Sequence, residues 1–449
     1  MDGQVQERPA PSERAIRKAV AAAAMGNAVE WFDFALYGYL SAIMIKIFFP
    51  SQSPAVQAMA TWGIFAVSFL IRPIGSIVLG PLGDRIGRKA VLAVTIISMS
   101  AATLVVGLIP GYATIGVFAP VLLILARLVQ GFSTGGEYGG AATFIAEYAP
   151  NRRRGFLGSF LEFGTYVGFI LGSGMVLILS TALSETSMNS WGWRIPFLIA
   201  APLGLVGTYL RSRLSDTPEF TEANERGEMR MPFMQLMTQA WRRMLMLVGI
   251  VILLNVGYYI LLTYLPSYLT QVMKLSETQA ALTEIGIYVM MLILIAPVGM
   301  LSDRFGRRPM LKIACFGFFL LSVPSFLMIN TGTVWGMGIG LVVMGLLLLP
   351  MASTIPATLP ALFPTRIRYG AFSIGYNVST SLFGGTAPLI VTALITATGS
   401  KLIPGFYLMA AAVVAAPAIM LMPETAKISM RDAGTSREKA AQNAPLATA

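Results

Sequence analysis

The chain of 449 residues has no histidine and a single cysteine, Cys315. The first absence removes the side chain that most often handles protons near neutral pH, so carboxylates are left to take up and release one. The second excludes a disulfide framework and a thiolate metal cluster, and Cys315, set in an apolar run, reads as packing. Charge is also scarce. Asp, Glu, Lys and Arg make up 12% of the chain, about half the share usual in soluble domains, while 55% is hydrophobic and mean hydropathy is +0.71. That balance predicts a protein with many membrane spans. No Gly-x-x-x-x-Gly-Lys-Ser/Thr loop is present, so no nucleotide cofactor is expected, and no metal. Residues 1–11 are polar and lack the short apolar core of a signal peptide.

The scarce charges are placed with a pattern. A span needs about 20 mainly apolar residues, and twelve segments meet that length: 19–48, 57–82, 90–110, 115–146, 155–182 and 194–212, then 243–270, 278–301, 310–330, 334–361, 370–398 and 403–422. One set of connections holds Arg14, Arg17 and Lys18, then Arg85, Arg88 and Lys89, Arg152 to Arg154, Arg211 to Arg243, Arg304, Arg307 and Arg308, Arg366 and Arg368, and Lys427 to Lys439. The alternate set holds only Lys46, Lys274 and Lys401. By the positive-inside rule both termini and the central loop face the cytoplasm. The net charge of +11 therefore marks topology and gives no reason to expect a nucleic-acid partner.

The chain divides into a tail (1–18), a six-span half (19–212), a central loop of mixed charge (213–242), a second six-span half (243–422) and a tail (423–449). The halves repeat. Gly80-Pro-Leu-Gly-Asp84-Arg85-Ile-Gly87-Arg88-Lys89 follows the second span, and Gly299-Met-Leu-Ser-Asp303-Arg304-Phe-Gly306-Arg307-Arg308 follows the eighth. Pro150-Asn-Arg-Arg-Arg154-Gly155 is echoed by Pro364-Thr-Arg-Ile-Arg368-Tyr-Gly370. Two repeated halves predict a site between them near the bilayer midplane.

Six charged residues lie within or at the edge of first-half spans: Glu30, Asp33, Arg72, Arg127, Glu137 and Glu162. The second half has almost none, so proton coupling is expected in the first. An ionised carboxylate in hydrocarbon costs at least about 2.5 to 3.5 kcal/mol, hence Glu30 and Asp33 must face a protein interior or aqueous cavity. Asp33, one turn deeper, ranks ahead of Glu30 as the proton carrier, with Glu137 a third candidate; Glu162 reads equally as coupling or structure. Arg127, Gln130, Thr134, Glu137 and Tyr138 share one helical face. Arg127 suits a substrate carboxylate through bidentate hydrogen bonds. Trp31, Tyr37, Tyr138, Tyr258 and Tyr259 could cradle an onium group by cation–π attraction, and Gln130, Asn255 and Asn377 add polar contacts. Asp84 and Asp303, beyond helix ends, could meet Arg88 or Arg307 and a neighbouring helix N-terminus, with Gly87 and Gly306 permitting tight turns.

The repeated Gly-x-x-x-Asp-Arg-x-Gly-Arg-Lys/Arg turn resembles the signature of the major facilitator superfamily. Gly26-Asn-Ala-Val-Glu30-Trp-Phe-Asp33-Phe, Leu70-Ile-Arg72-Pro73, Gln130-Gly-Phe-Ser-Thr-Gly-Gly-Glu137-Tyr138, Trp191-Gly-Trp-Arg194 and Leu262-Thr-Tyr264-Leu-Pro-Ser-Tyr268 are similar to its metabolite:proton symporter family. Met351-Ala-Ser-Thr-Ile-Pro-Ala-Thr-Leu-Pro and Phe363-Pro-Thr-Arg-Ile-Arg368-Tyr369 are most similar to that family's proline/glycine betaine branch. The resemblance implies an all-α protein of twelve transmembrane helices in two six-helix halves, working by alternating access in a bacterial inner membrane as a monomeric unit. It implies symport of a proton with a zwitterionic osmolyte; a di- or tricarboxylate such as 2-oxoglutarate or citrate is the alternative cargo. It also implies that Asp84, Arg85, Gly87 and Arg88, with Asp303, Arg304, Gly306 and Arg307, latch the cytoplasmic side. The branch's osmosensing members carry a C-terminal coiled coil, and no heptads follow Glu424 here. Outside transport, a solute sensor lacks a signalling domain, and an enzyme lacks a nucleophile or metal constellation.

Overall fold

The computed structural model describes residues 12–50, 63–212, 217–225, 233–426, 428–431 and 433–434. Its long helices in the first half are α1 Glu13–Phe48, α2 Gly63–Ile86, α3 Arg88–Leu108, α4 Phe118–Tyr148, α5 Asn151–Ala182 and α6 Arg194–Leu210, the last bent by 44° from the segment Glu185–Gly192. In the second half they are α7 Ala240–Val272, α8 Glu277–Phe305, α9 Arg307–Ile329, α10 Val334–Thr358, α11 Thr365–Thr398 and α12 Ile403–Leu421. Among the described residues ten helices are long and apolar enough to cross a membrane, and the bent pair makes eleven. The twelfth, α1, is 36 residues long and carries Glu30 and Asp33 in its middle. Large apolar side chains such as Ile178, Leu205, Ile293 and Phe316 are exposed on the outer surface, where hydrocarbon, not water, suits them.

Local signals place the helix ends. Ser12 caps α1 by accepting from Ala15 N, and Ser276 forms a capping box with Gln279 at the start of α8. The expected signature loops are shorter than loops: α2 and α3 are parted by Gly87 alone, and α8 and α9 by Gly306 alone. Their φ values of 105° and 102° lie where a side chain is strained. Arg194 donates from Nη1 to the carbonyls of Gly107 (2.7 Å) and Ile109 (2.8 Å), satisfying acceptors at the end of α3.

Tight packing within a half relies on small residues. An atom added as Cβ at Gly131 of α4 would lie 2.0 Å from the Ser68 carbonyl oxygen of α2, so those two backbones touch. Across the halves, α2 and α4 pack on α11, while α5 packs on α8 and α10. Of the central loop, Pro218–Glu225 is helical, and the stretch from Phe233 onward is already helix continuing into α7. Apart from Thr217, the remainder of that loop lies outside the described residues, as do residues 1–11, the 57–62 portion of the second expected span, Lys427 and Lys439. Expected as a tail, residues after Glu424 instead bury Thr425, Ile428, Met430 and Ala433 against the protein.

Candidate functional site

Asp33 of α1 sits at the centre of a buried polar cluster. Arg127 of α4 donates from Nη1 to its Oδ2 at 3.0 Å. Its Oδ1 accepts from Gln130 Nε2 at 2.9 Å and from Thr103 Oγ1 of α3 at 3.0 Å. The Arg127 guanidinium lies over the Tyr37 ring, 4.1 Å from its centroid. Its Nε and Nη2 donors have no hydrogen-bond partner. The expected carboxylate ligand is thus already engaged by a carboxylate of its own protein, with donors to spare. Protonating Asp33 would remove half of this ion pair and loosen three helices at one point.

Glu30 points elsewhere, to Arg72 of α2, at 3.7 Å. The two acids of α1 therefore meet different arginines on different helices. Arg72 is held by rings: Phe69 at 4.1 Å and Phe34 at 4.8 Å from its guanidinium carbon.

The shared stripe on α4 fans out. Glu137 accepts from Thr95 of α3 at 2.5 Å. Thr95 lies eight residues from Thr103, roughly 12 Å along α3, so Glu137 stands apart from the Asp33 cluster. Tyr138 turns toward α5 and donates to Glu162 at 2.6 Å. Glu162 also accepts from Tyr258 of α7 at 2.5 Å and from Thr165 at 3.0 Å, so one carboxylate receives hydroxyls from both halves.

Around these groups the aromatic side chains form one assembly. Trp31 has its ring centroid 5.7 Å from Tyr258, 6.1 Å from Tyr259 and 5.3 Å from Phe169. Tyr376 of α11 stacks on Tyr138 at 4.2 Å. Tyr258 ends a regular stretch of α7, and residues Tyr259–Tyr264 continue as a π-helical turn, an irregularity frequent at functional sites. Two expected polar contacts serve the scaffold. Asn377 donates to the Gly135 carbonyl of α4 at 2.8 Å, and Asn255 bonds Ser379 (3.3 Å) and Thr380 (3.1 Å) of α11.

At the arginine-rich end each signature aspartate meets a helix N-terminus of the opposite half. Asp84 accepts from Gly370 N at 2.8 Å; Asp303 accepts from Gly155 N and Phe156 N, both at 2.8 Å. Arg307 pairs with Asp303 at 2.6 Å. Arg88 is nearer Glu147 (3.0 Å) than Asp84 (3.8 Å), and Glu147 also pairs with Arg368 at 2.6 Å. Arg85 and Arg304 are exposed, outside these contacts; the expectation that they join the latch is corrected by their outward direction.

The sequence profile of the Major Facilitator Superfamily matches residues 23–388. Along 428 residues the chain is 44% identical to the glycine betaine/proline/ectoine/pipecolic acid transporter OusA of Dickeya dadantii, covering 93% of this chain and 85% of the relative. The chain belongs to the major facilitator superfamily. It is 43% identical to the proline/betaine transporter of Escherichia coli K12 over the same length and coverage, and 41% identical to the ectoine/proline transporter ProP of Corynebacterium glutamicum, covering 92% and 85%. Among solved structures, the proton:xylose symporter XylE bound to 6-bromo-6-deoxy-D-glucose superposes with a TM-score of 0.76 at 17% identity, covering 94% of this chain and 98% of that one. The fold is thus that of twelve transmembrane helices in two six-helix halves, and this major facilitator protein is a multi-pass membrane transporter, not an enzyme.

Within that transporter, sequence reasoning missed Glu284 of α8, buried in a half thought nearly free of charge. It accepts a hydrogen bond from Tyr39 of α1, so it joins the halves toward the other end of the molecule. Its place inside an apolar span, the signal that singled out Glu30, was available. Tyr376 and Thr103 had no such signal.

Proposed function

We propose that the protein imports a small zwitterionic osmolyte, proline or glycine betaine, together with a proton. The observation that carries the proton assignment is Asp33, a buried carboxylate shared by Arg127, Gln130 and Thr103 from two neighbouring helices. Taking a proton from outside neutralises Asp33 and frees Arg127 Nη1. Returning the proton inside restores the pair, so the cluster reads protonation as a change in helix packing. Relatives at 41 to 44% identity, named for proline, betaine and ectoine, support the cargo class. The six-span halves 19–212 and 243–422 rock about the buried centre. The loop 213–242 joins them, and tails 1–18 and 423–449 flank them. The aspartates 84 and 303 latch the cytoplasmic side when the outside is open. The functional unit is one chain in a bacterial inner membrane with both termini cytoplasmic.

Purified protein in proteoliposomes tests this. Proline, glycine betaine, 2-oxoglutarate and citrate are offered in turn while internal pH is recorded. Acidification with the first two is expected; acidification with none of the four would sink the symport reading, and acidification only with the last two would assign a carboxylate cargo. Asp33→Asn should abolish proton-driven accumulation and retain exchange that no longer varies with pH. Full accumulation by this variant would place the proton elsewhere.

A further inference from the structure

Arg72 and Glu162 are each buried with a charge that their surroundings leave incompletely matched. Arg72 is 3% exposed, its nearest carboxylate stands at 3.7 Å, and its Nε and Nη2 have no hydrogen-bond partner. Glu162 is 2% exposed and receives only hydroxyls, from Tyr138, Tyr258 and Thr165; among the described residues no cation lies within ion-pair distance. Aromatic rings link the two: Phe69, 4.1 Å from the Arg72 guanidinium carbon, has its centroid 5.0 Å from that of Tyr259. Trp31 lies 6.1 Å from Tyr259 and 5.7 Å from Tyr258, which donates to Glu162, and Tyr376 stacks on Tyr138, the other tyrosine donor to that carboxylate. A buried guanidinium with unused donors facing a buried carboxylate across aromatic rings forms a fixed dipole. A ligand of opposite polarity would satisfy both ends.

We propose that these two charges and the rings linking them are the cargo site: Arg72 takes the carboxylate of a zwitterion, and Glu162, with the rings of Tyr258, Tyr259 and Tyr376, takes its ammonium or quaternary ammonium. The inference rests on the transporter reading and assigns each end of the cargo. The guanidinium fork is suited to a carboxylate, and electron-rich rings beside an acid are suited to an onium group. Arg127 is the weaker anchor. Its Nη1 is held by Asp33 at 3.0 Å, and it lies eleven residues from Tyr138 on α4, roughly 16 Å along the axis, too far for a small amino acid to span. Cargo and proton then have separate sites, the proton at Asp33 and the cargo at Arg72, the partner of Glu30 one turn away on α1, with Glu30 released from Arg72 when the cargo carboxylate arrives. The ligand also touches both halves, α2 and α5 on one side and α7 and α11 on the other, as alternating access requires.

The test is glycine betaine counterflow in proteoliposomes at equal pH on both sides, with two competitors that each keep one end of the cargo. Choline supplies the onium without the carboxylate, and 3,3-dimethylbutanoate the carboxylate without the positive charge. Arg72→Gln should weaken betaine about tenfold or more while leaving inhibition by choline unchanged. Glu162→Gln should weaken betaine similarly and leave inhibition by dimethylbutanoate unchanged. Where a glutamine variant does not elute as a single species, Arg72→Lys and Glu162→Asp carry the same comparison. Betaine affinity unchanged in both variants, or weakening without the split between competitors, overturns the inference. Failure of the unaltered protein to exchange either betaine or proline overturns the osmolyte reading and this inference with it.

Discussion

Asp33 and Glu137 are equally buried acids in the same half, and their neighbours set them apart. Asp33 has Arg127 at 3.0 Å and two further donors from α3 and α4. A proton there switches an ion pair, with consequences for every helix that meets it. Glu137 takes a hydroxyl from Thr95, and its change of state would act on the contact between α3 and α4. Glu137→Gln is therefore expected to keep proton-driven accumulation and lower stability by about 1 kcal/mol, the order of one altered buried hydrogen bond. Uptake under an imposed pH gradient and thermal unfolding in detergent measure the two effects. Loss of accumulation with unchanged unfolding would make Glu137 part of the proton path. Which arginine each acid meets was not legible from the sequence: a helical wheel gives a direction from one axis, and pairing depends on where neighbouring helices stand. Glu30 and Asp33 share a face of α1, yet they separate to Arg72 and Arg127.

Helix pairs bring a different constraint, because backbones can meet only where side chains are missing. At Gly131 a methyl group would lie 2.0 Å from the Ser68 carbonyl oxygen and 2.5 Å from Ile71 Cγ2. Gly131→Ala must therefore push α2 from α4, at a cost of about 1 to 3 kcal/mol. Gly286 of α8 has nothing within 4 Å of the same added atom, so Gly286→Ala should be neutral or stabilise by up to about 1 kcal/mol through reduced backbone freedom in the unfolded chain. Thermal unfolding of the two variants side by side checks the pair; equal melting would mean that the close approach carries no energetic weight. Apolar length made these helices legible in the sequence, and most expected ends differ by only a few residues, while the helix that becomes α7 starts at Phe233, ten residues before the expected 243. The differences concentrate where charged turns are helical: α2 reaches Ile86 and α8 reaches Phe305, since a lone glycine ends each and no loop is needed. Residues 424–434 read as a tail because they are polar and short. Their carbonyls nevertheless receive buried guanidinium groups, Ile428 from Arg154 at 3.0 Å and Met430 from Arg368 at 2.5 Å.

Across the whole molecule the arginine-rich end is closed twice, once by each half, with the same chemistry. Asp84 of the first half holds Gly370 N, and Asp303 of the second holds Gly155 N and Phe156 N. Each places a carboxylate at the positive end of a helix from the other half. The backbones beneath are close as well: a Cβ on Gly80 would stand 2.9 Å from Gly370 Cα, and one on Gly155 would stand 2.7 Å from the Gly299 carbonyl oxygen. Opening this end breaks both capping contacts together, so neither half can lead alone. Replacing both carboxylates removes charge-assisted bonds between the halves worth about 1.5 to 3 kcal/mol each, along with the pairs to Arg88 and Arg307 within each half. Asp84→Asn with Asp303→Asn should therefore shift the population toward the form open at the arginine-rich end. A cysteine placed at Ser373, buried where α11 meets Gly139 of α4, reports the shift in a Cys315→Ser background. Its labelling by a thiol reagent admitted from that side should quicken at least about tenfold in the double variant, with each single variant between. Labelling as slow as in the unaltered pair would mean that the aspartates cap helices without holding the halves together, and that closure rests on the glycine contacts alone.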